Sequence, residues 1–322
     1  MKNICFVLLI TCIQLKVNIF CESSELYQYL NSLNSIYNSQ HNLEIEYYYE
    51  TSADLSEIFT SNNGIYAIGK CKSIISIDKM RVERNQFSDT KLNSIEAHRS
   101  GYLAQKHTMN QLEIITKTIT YIKPLNDGNF GDVKTIHNDK HLSILEQDQS
   151  RYPIFYLKSF CDLLHSTEFK VNDPLLVTTE NGISEYFIVF EPMLRPDYFT
   201  DDMSFYERLY IDENLDEPFF RKLEYGIYSK NKNFEKLLTV ISVTPDPNCI
   251  LGYSSFTLDN YKSGKITRSK IVNIYSAKEG VRILPEHFNL LLKKGNKFID
   301  LSDNDSGSNE IIADETIVIE PR

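Results

Sequence analysis

Between Gly64 and Glu83 apolar and polar residues alternate: Ile65 and Ala67, then Ile75 and Ile77, and later Val82. A period of two belongs to a β-strand with one buried face. The stretch therefore reads as two strands joined by a short polar turn, and a strand pair of this kind must bury its apolar face against something else. The same pattern opens earlier, where Leu43, Ile45, Tyr47 and Tyr49 alternate with Glu44, Glu46, Tyr48 and Glu50, giving a half-buried strand with an acidic outer face.

Strand-and-turn units recur to the end of the chain. Segments 94–109 and 112–123 read as strands, the first folded at Ser100–Gly101. Leu175–Thr179 and Ser184–Glu191, joined by Glu–Asn–Gly at 180–182, form the clearest hairpin. Further strands are predicted at Phe219–Tyr228, Lys236–Thr244, Ser254–Asn260, Ser269–Tyr275, Glu286–Leu292, Lys297–Leu301 and Thr316–Glu320. Two helices interrupt them. Leu26, Leu30, Leu33, Ile36 and Tyr37 fall at helical spacing after Ser23 or Ser24 as a cap, and Ile154, Leu157, Phe160, Cys161 and Leu164 do so mid-chain. Many strands with few helices predict an α+β chain, an antiparallel β half-barrel curled over a helical plug. A polar insertion near 126–150 and an acidic, aromatic insertion near 191–220, with one strand at Arg208–Ile211, are expected within a single domain 22–322.

Residues 1–21 stand apart. Lys2 precedes the apolar run Ile4–Ile13, broken only by Thr11, and polar Gln14 and Lys16 follow it. That order predicts a secretory signal peptide, and the run is short for a membrane span. The processing point stays open, and so does lipidation of Cys21. Without Lys2 and Lys16, 32 basic residues face 44 acidic ones, a net charge of −12. Such a balance argues against a nucleic-acid partner and against a polybasic membrane anchor. Cys71, Cys161 and Cys249 are too few for a disulfide framework and read as buried thiols, with at most one bridge among them.

Candidate chemistry is sparse. His137 and His141, with Asp139 between them, have the spacing of two ligands on one helical face but lie in a polar segment without a third, so they read as loop histidines and no metal is expected. Asp303–Glu310 looks like a calcium loop until its glycine is set at position six, which leaves serine at positions one and five and alanine at twelve. The chain has no Gly-x-Ser-x-Gly elbow and no phosphate-cradling glycine loop.

Several stretches together resemble the periplasmic lipoprotein-carrier (LolA-like) superfamily, in particular its divergent secreted bacterial members. They are the first helix and the acidic strand after it, Lys79–Met–Arg–Val–Glu83, Ser100–Gly–Tyr102, and the hairpin Tyr210–Glu224. Ile271–Tyr275, Pro285–Leu290, Gly295 and Asp300 resemble its closing pattern. The superfamily's tryptophans, and the proline before its arginine, are missing here. The resemblance implies a half-barrel with an apolar hollow for acyl chains, a periplasmic or cell-envelope location, and Arg81 as a ligand contact. The function it implies is an exported, non-catalytic protein that binds a hydrophobic or lipidic ligand, with no cofactor. Two other readings stay open: a cell-envelope interaction protein acting through 191–220, and a secreted hydrolase.

Overall fold

A computed structural model describes residues 26, 28–31, 42–54, 64–89, 107–125, 132–137, 150, 152–164, 169–171, 175–193, 203–215, 219–229, 235–262, 264–300 and 309–321. Strands dominate these residues, and they fall into two compact units. One comprises Gln40–Pro153, Val243–Asn260 and Ile266–Arg322; the other contains Ile154–Ser242 and Tyr261–Lys265.

In the larger unit β1 (Leu43–Asp54), β2 (Gly64–Ile75), β3 (Lys79–Asp89), β4 (His107–Thr116) and β5 (Ile119–Pro124) pair in sequence order, each antiparallel to the next. Register places Leu43 opposite Ile75, Tyr47 opposite Cys71, and Ile75 opposite Met80, so the alternating apolar set shares one face. Leu43, Ile45, Cys71, Ile75 and Met80 are fully buried there.

The two strands expected over 64–83 are β2 and β3. Ser76 closes their turn: its hydroxyl donates to the Lys79 carbonyl at 2.9 Å and accepts from the Lys79 N–H at 3.0 Å. Thr116 repeats the device, donating to the Ile119 carbonyl at 2.9 Å and accepting from its N–H at 3.2 Å. Segment 112–123 is for that reason a hairpin and not the single strand its composition predicts. A Ser or Thr hydroxyl can nucleate a turn without glycine or proline, which hides the turn from a composition count.

The polar interval after residue 126 holds a further strand, β6 (Val133–His137), which pairs with β5 and, in parallel, with a strand near the C-terminus. The stretch 286–292 is also not one strand. Pro285–Phe288 forms a 3-10 turn, which suits proline at its first position, and only Leu290–Leu292 is extended. Phe288, Leu290, Leu292 and Ala313 pack with Leu112, Ile114 and Val133 into one buried cluster. The C-terminal segment thereby covers the second face of β4 and β6.

In the other unit β7 (Phe169–Val171) and β8 (Leu175–Glu180) both pair with β9 (Ile183–Pro192). β10 (Met203–Asp212), β11 (Phe219–Ser229) and β12 (Glu235–Pro245) continue the sheet antiparallel. The β8–β9 turn is as expected: Asn181 and Gly182 both take positive φ, 53° and 75°, as a two-residue hairpin turn requires. The helix α1 (Tyr152–Leu164) matches the periodicity read from the sequence, and Leu157 and Phe160 are buried. Of the expected first helix, residues 26 and 28–31 are helical, with Leu26 and Leu30 buried; its remainder lies outside the described residues. The expected turn at Ser100–Gly101, His141, and residues 303–308 of the calcium-like segment also lie outside them.

In β2 the packing demands that Gly69 lack a side chain. It stands opposite Tyr49, and a Cβ there would come within 2.6 Å of the Tyr49 ring. Tyr49 is 4% exposed and donates its phenolic hydrogen to Gln86, and burial pushes the phenol up to about 12. Gly69→Val should therefore displace this ring and cost about 1–3 kcal/mol, read as a lower urea midpoint with an unchanged denaturant slope.

Candidate functional site

Arg81 lies on β3, where its Nη1 donates to the His287 carbonyl at 2.7 Å. Its Nε and Nη2 both reach Glu83 Oε1, at 3.0 and 2.6 Å. The guanidinium thus fastens the 3-10 turn to the sheet. His137 ends β6. Among the described residues no group of three or more His, Cys, Asp or Glu side chains could hold a metal ion. Cys71 and Cys249 carry no disulfide.

The same unit has a buried ion pair that the sequence reading did not single out. Arg84 Nε stands 3.3 Å from Glu113 Oε1, each side chain 13% exposed. Burial works against the charged guanidinium, but the Glu113 carboxylate together with Cys71, Tyr47 and Tyr49 outweighs it, so Arg84 is held firmly protonated. An open groove of about 430 Å³ is lined by Glu46, Lys70, Lys72, Glu83, Arg84 and Asn110 among others. Its charges pair with one another: Lys72 lies 3.0 Å from Glu44 and 3.2 Å from Glu46. The Tyr275 hydroxyl donates to Glu46 at 2.7 Å, and this bond leads the causes that hold the carboxyl below its usual range.

A different surface forms in the unit containing α1. Register sets Phe205 opposite Phe190 and Ile227, Glu207 opposite Ile188 and Tyr225, and Leu209 opposite Tyr186 and Leu223. Cross-strand partners point to the same side of a sheet, so these nine residues share a face. Its burial is graded. Tyr186, Ile188, Phe190, Leu209 and Leu223 are buried, whereas Phe205, Glu207, Tyr225 and Ile227 are only half-buried. Phe190 and Phe205 stack at 5.3 Å. Tyr156 of α1 stacks on Tyr225 at 5.4 Å, which places the helix over this face.

Glu207 is the single ionisable acid in that apolar set. Its Oε2 is fully buried without a hydrogen-bond partner, and burial alone pushes the carboxyl up to about 8. The neighbouring charges lie on the other side of the sheet. There Arg208 stands 3.7 Å from Glu224 and 3.9 Å from Glu185, and Asp212 meets Arg221 at 2.6 Å. Burial pushes the Asp212 carboxyl up, but Arg221 and the Asn214 N–H together draw it below the usual range.

Sequence reasoning missed Glu207 because it sits in the acidic, aromatic stretch 191–220, where it is one acid among many. The expected strand Arg208–Ile211 extends to Met203–Asp212 and lies between β9 and β11. Alternation counted back from Leu209 would have placed Glu207 on the apolar side.

No family model matches the chain, and no curated protein does. Among solved structures it is similar to a LolA superfamily protein from Nitrosomonas europaea, with 10% identity over 81% of this chain and 94% of that one, at a TM-score of 0.39. A DUF1329 family protein from Desulfovibrio piger gives 11% identity over 81% and 95%, also at 0.39. A β-barrel-like DUF1849 protein from Brucella abortus gives 8% identity over 76% and 100%, at 0.26. The superfamily that the sequence resembles is thus also named among the structural likenesses. At these scores they add nothing to the argument from the site. No helix among the described residues is long and apolar enough to cross a membrane.

Glu207 also sets a pH dependence. Its folded value lies above the ordinary 4.5, so between about 4.5 and 8 the folded protein keeps a proton that the unfolded chain has released. Stability should fall as pH rises through that window. Glu207→Gln should remove this component, so that the variant's urea midpoint gains on wild type between pH 5 and pH 8.

Proposed function

We propose that this is an exported protein that holds an apolar or lipidic ligand, without chemistry, on the face shared by β9, β10 and β11 beneath α1. The observation that carries this reading is the gradient along that face. Phe205, Tyr225 and Ile227 leave apolar surface reachable next to the closed core formed by Tyr186, Leu209 and Leu223. Covering such surface with an acyl chain stabilises the complex by about 0.8 kcal/mol for each buried CH₂. The leader-like residues 1–21 support export, and the strand-rich architecture supports binding over catalysis, since the acids and bases on the strands of each unit pair mostly with each other.

Arg81 enters this reading as a structural residue, because Glu83 and the His287 carbonyl occupy its guanidinium. Titration with cis-parinaric acid, a fluorescent acyl chain, tests the assignment. Phe205→Ala and Ile227→Ala should each weaken binding several-fold, given the ~1–2 kcal/mol that such side chains contribute by burial. Arg81→Met should leave the affinity unchanged. A wild-type protein that gives no fluorescence change, and yields no lipid on extraction after native mass spectrometry, would overturn the proposal.

A further inference from the structure

Glu207 is hard to explain as part of a closed core. A carboxyl among Ile188, Phe205, Leu209 and Tyr225, with one oxygen fully buried and unbonded, is a net cost to the fold. Strand register makes the cost more pointed. Arg208, the next residue, is directed to the opposite face, where Glu185 and Glu224 surround it. On the Glu207 face β9 presents Ile188, β11 presents Tyr225, and α1 adds Tyr156 stacked on Tyr225. The titratable groups that share this face with Glu207 are thus three tyrosines, Tyr156, Tyr186 and Tyr225, and none of the described residues brings it a cation.

We infer that Glu207 is the polar anchor of the ligand face, and that the ligand it fits is an apolar chain ending in a basic amine. The inference rests on the reading that this face takes an apolar ligand, and it adds the chemistry of the ligand's head. An ammonium supplies what the site lacks: a positive charge, and up to three N–H donors for an oxygen that has none. An ester or carboxylate head brings only acceptors, which leaves the bare oxygen unsatisfied. An alcohol brings one donor and no charge. The half-buried flank at Phe205 and Ile227 gives the chain a surface to follow while its head meets Glu207.

Pairing also predicts a proton count. A carboxyl that burial keeps protonated near neutral pH must give up its proton to form the ion pair, so binding of an alkylammonium releases protons. A ligand that only accepts a hydrogen bond from the carboxyl would favour the protonated form and take protons up.

Calorimetric titration of the full chain with dodecylamine, dodecanol and methyl dodecanoate, below their aggregation concentrations and in buffers of different ionisation enthalpy, separates the cases. Wild type should bind dodecylamine about tenfold or more tightly than dodecanol, with proton release near pH 7. Glu207→Gln, isosteric with the protonated acid, should lose that preference and the proton release while binding dodecanol as before. Equal affinities for amine and alcohol in wild type would overturn the anchor and leave the apolar reading standing, and so would an equal loss of both in Glu207→Gln. Tighter binding of methyl dodecanoate with proton uptake would replace the amine by an acceptor head. If none of the three binds, the apolar reading fails together with the anchor.

Discussion

Strand register is the constraint on which the rest of the structure depends. A one-residue slip of β10 would carry Arg208 into the apolar face and turn Glu207, Leu209 and Phe205 to the charged one. The buried Leu209 and Ile188 on one side, and the Arg208 and Asp212 ion pairs on the other, select the observed register from both faces. Tyr49 and Gly69 do the same between β1 and β2, since only a residue without a Cβ leaves room for that ring. Side chains that hold the sheets in register are thus also the ones that decide which groups a ligand could meet.

The polar groups divide by how completely they are satisfied. Arg84 and Glu113, Lys72 with Glu44 and Glu46, and Arg221 with Asp212 are closed arrangements whose charges cancel locally. Arg81 is closed too, through Glu83 and a backbone carbonyl. Among the acids of the described residues, Glu207 is the one with a fully buried oxygen that has no hydrogen-bond partner, and it stands in an apolar setting. Such a group is kept against the stability of the fold, and that imbalance is what ties the packing of β9, β10 and β11 to the proposed ligand.

Much of this was legible in the sequence. Period-two alternation located β1, β2 and β3, and the Asn181–Gly182 pair located the hairpin of β8 and β9. Helical spacing located α1 almost to the residue. Turns made by side chains were not legible: Thr116 closes one with its hydroxyl and leaves no glycine or proline to mark it. Strand β6 escaped because it lies in a polar interval and one of its two partners comes from far along the chain, a pairing that leaves no local trace. Arg81 drew attention through resemblance, but its partner His287 is 206 positions away, a contact that only the fold reveals. Glu207 escaped because an acid in an acidic stretch carries no mark until its strand and face are known.

The chain contains no tryptophan, which makes the central claim directly measurable. Phe205→Trp would place a sole tryptophan at the half-open end of the proposed ligand face, and Tyr275→Trp would place one at a position 45% exposed in the other unit. Brominated acyl chains quench tryptophan on contact. If an apolar ligand occupies the face of β9, β10 and β11, a brominated alkylamine will quench the fluorescence of the Phe205→Trp protein saturably and leave the Tyr275→Trp protein bright. Equal quenching of the two proteins, or none in either, would contradict the account.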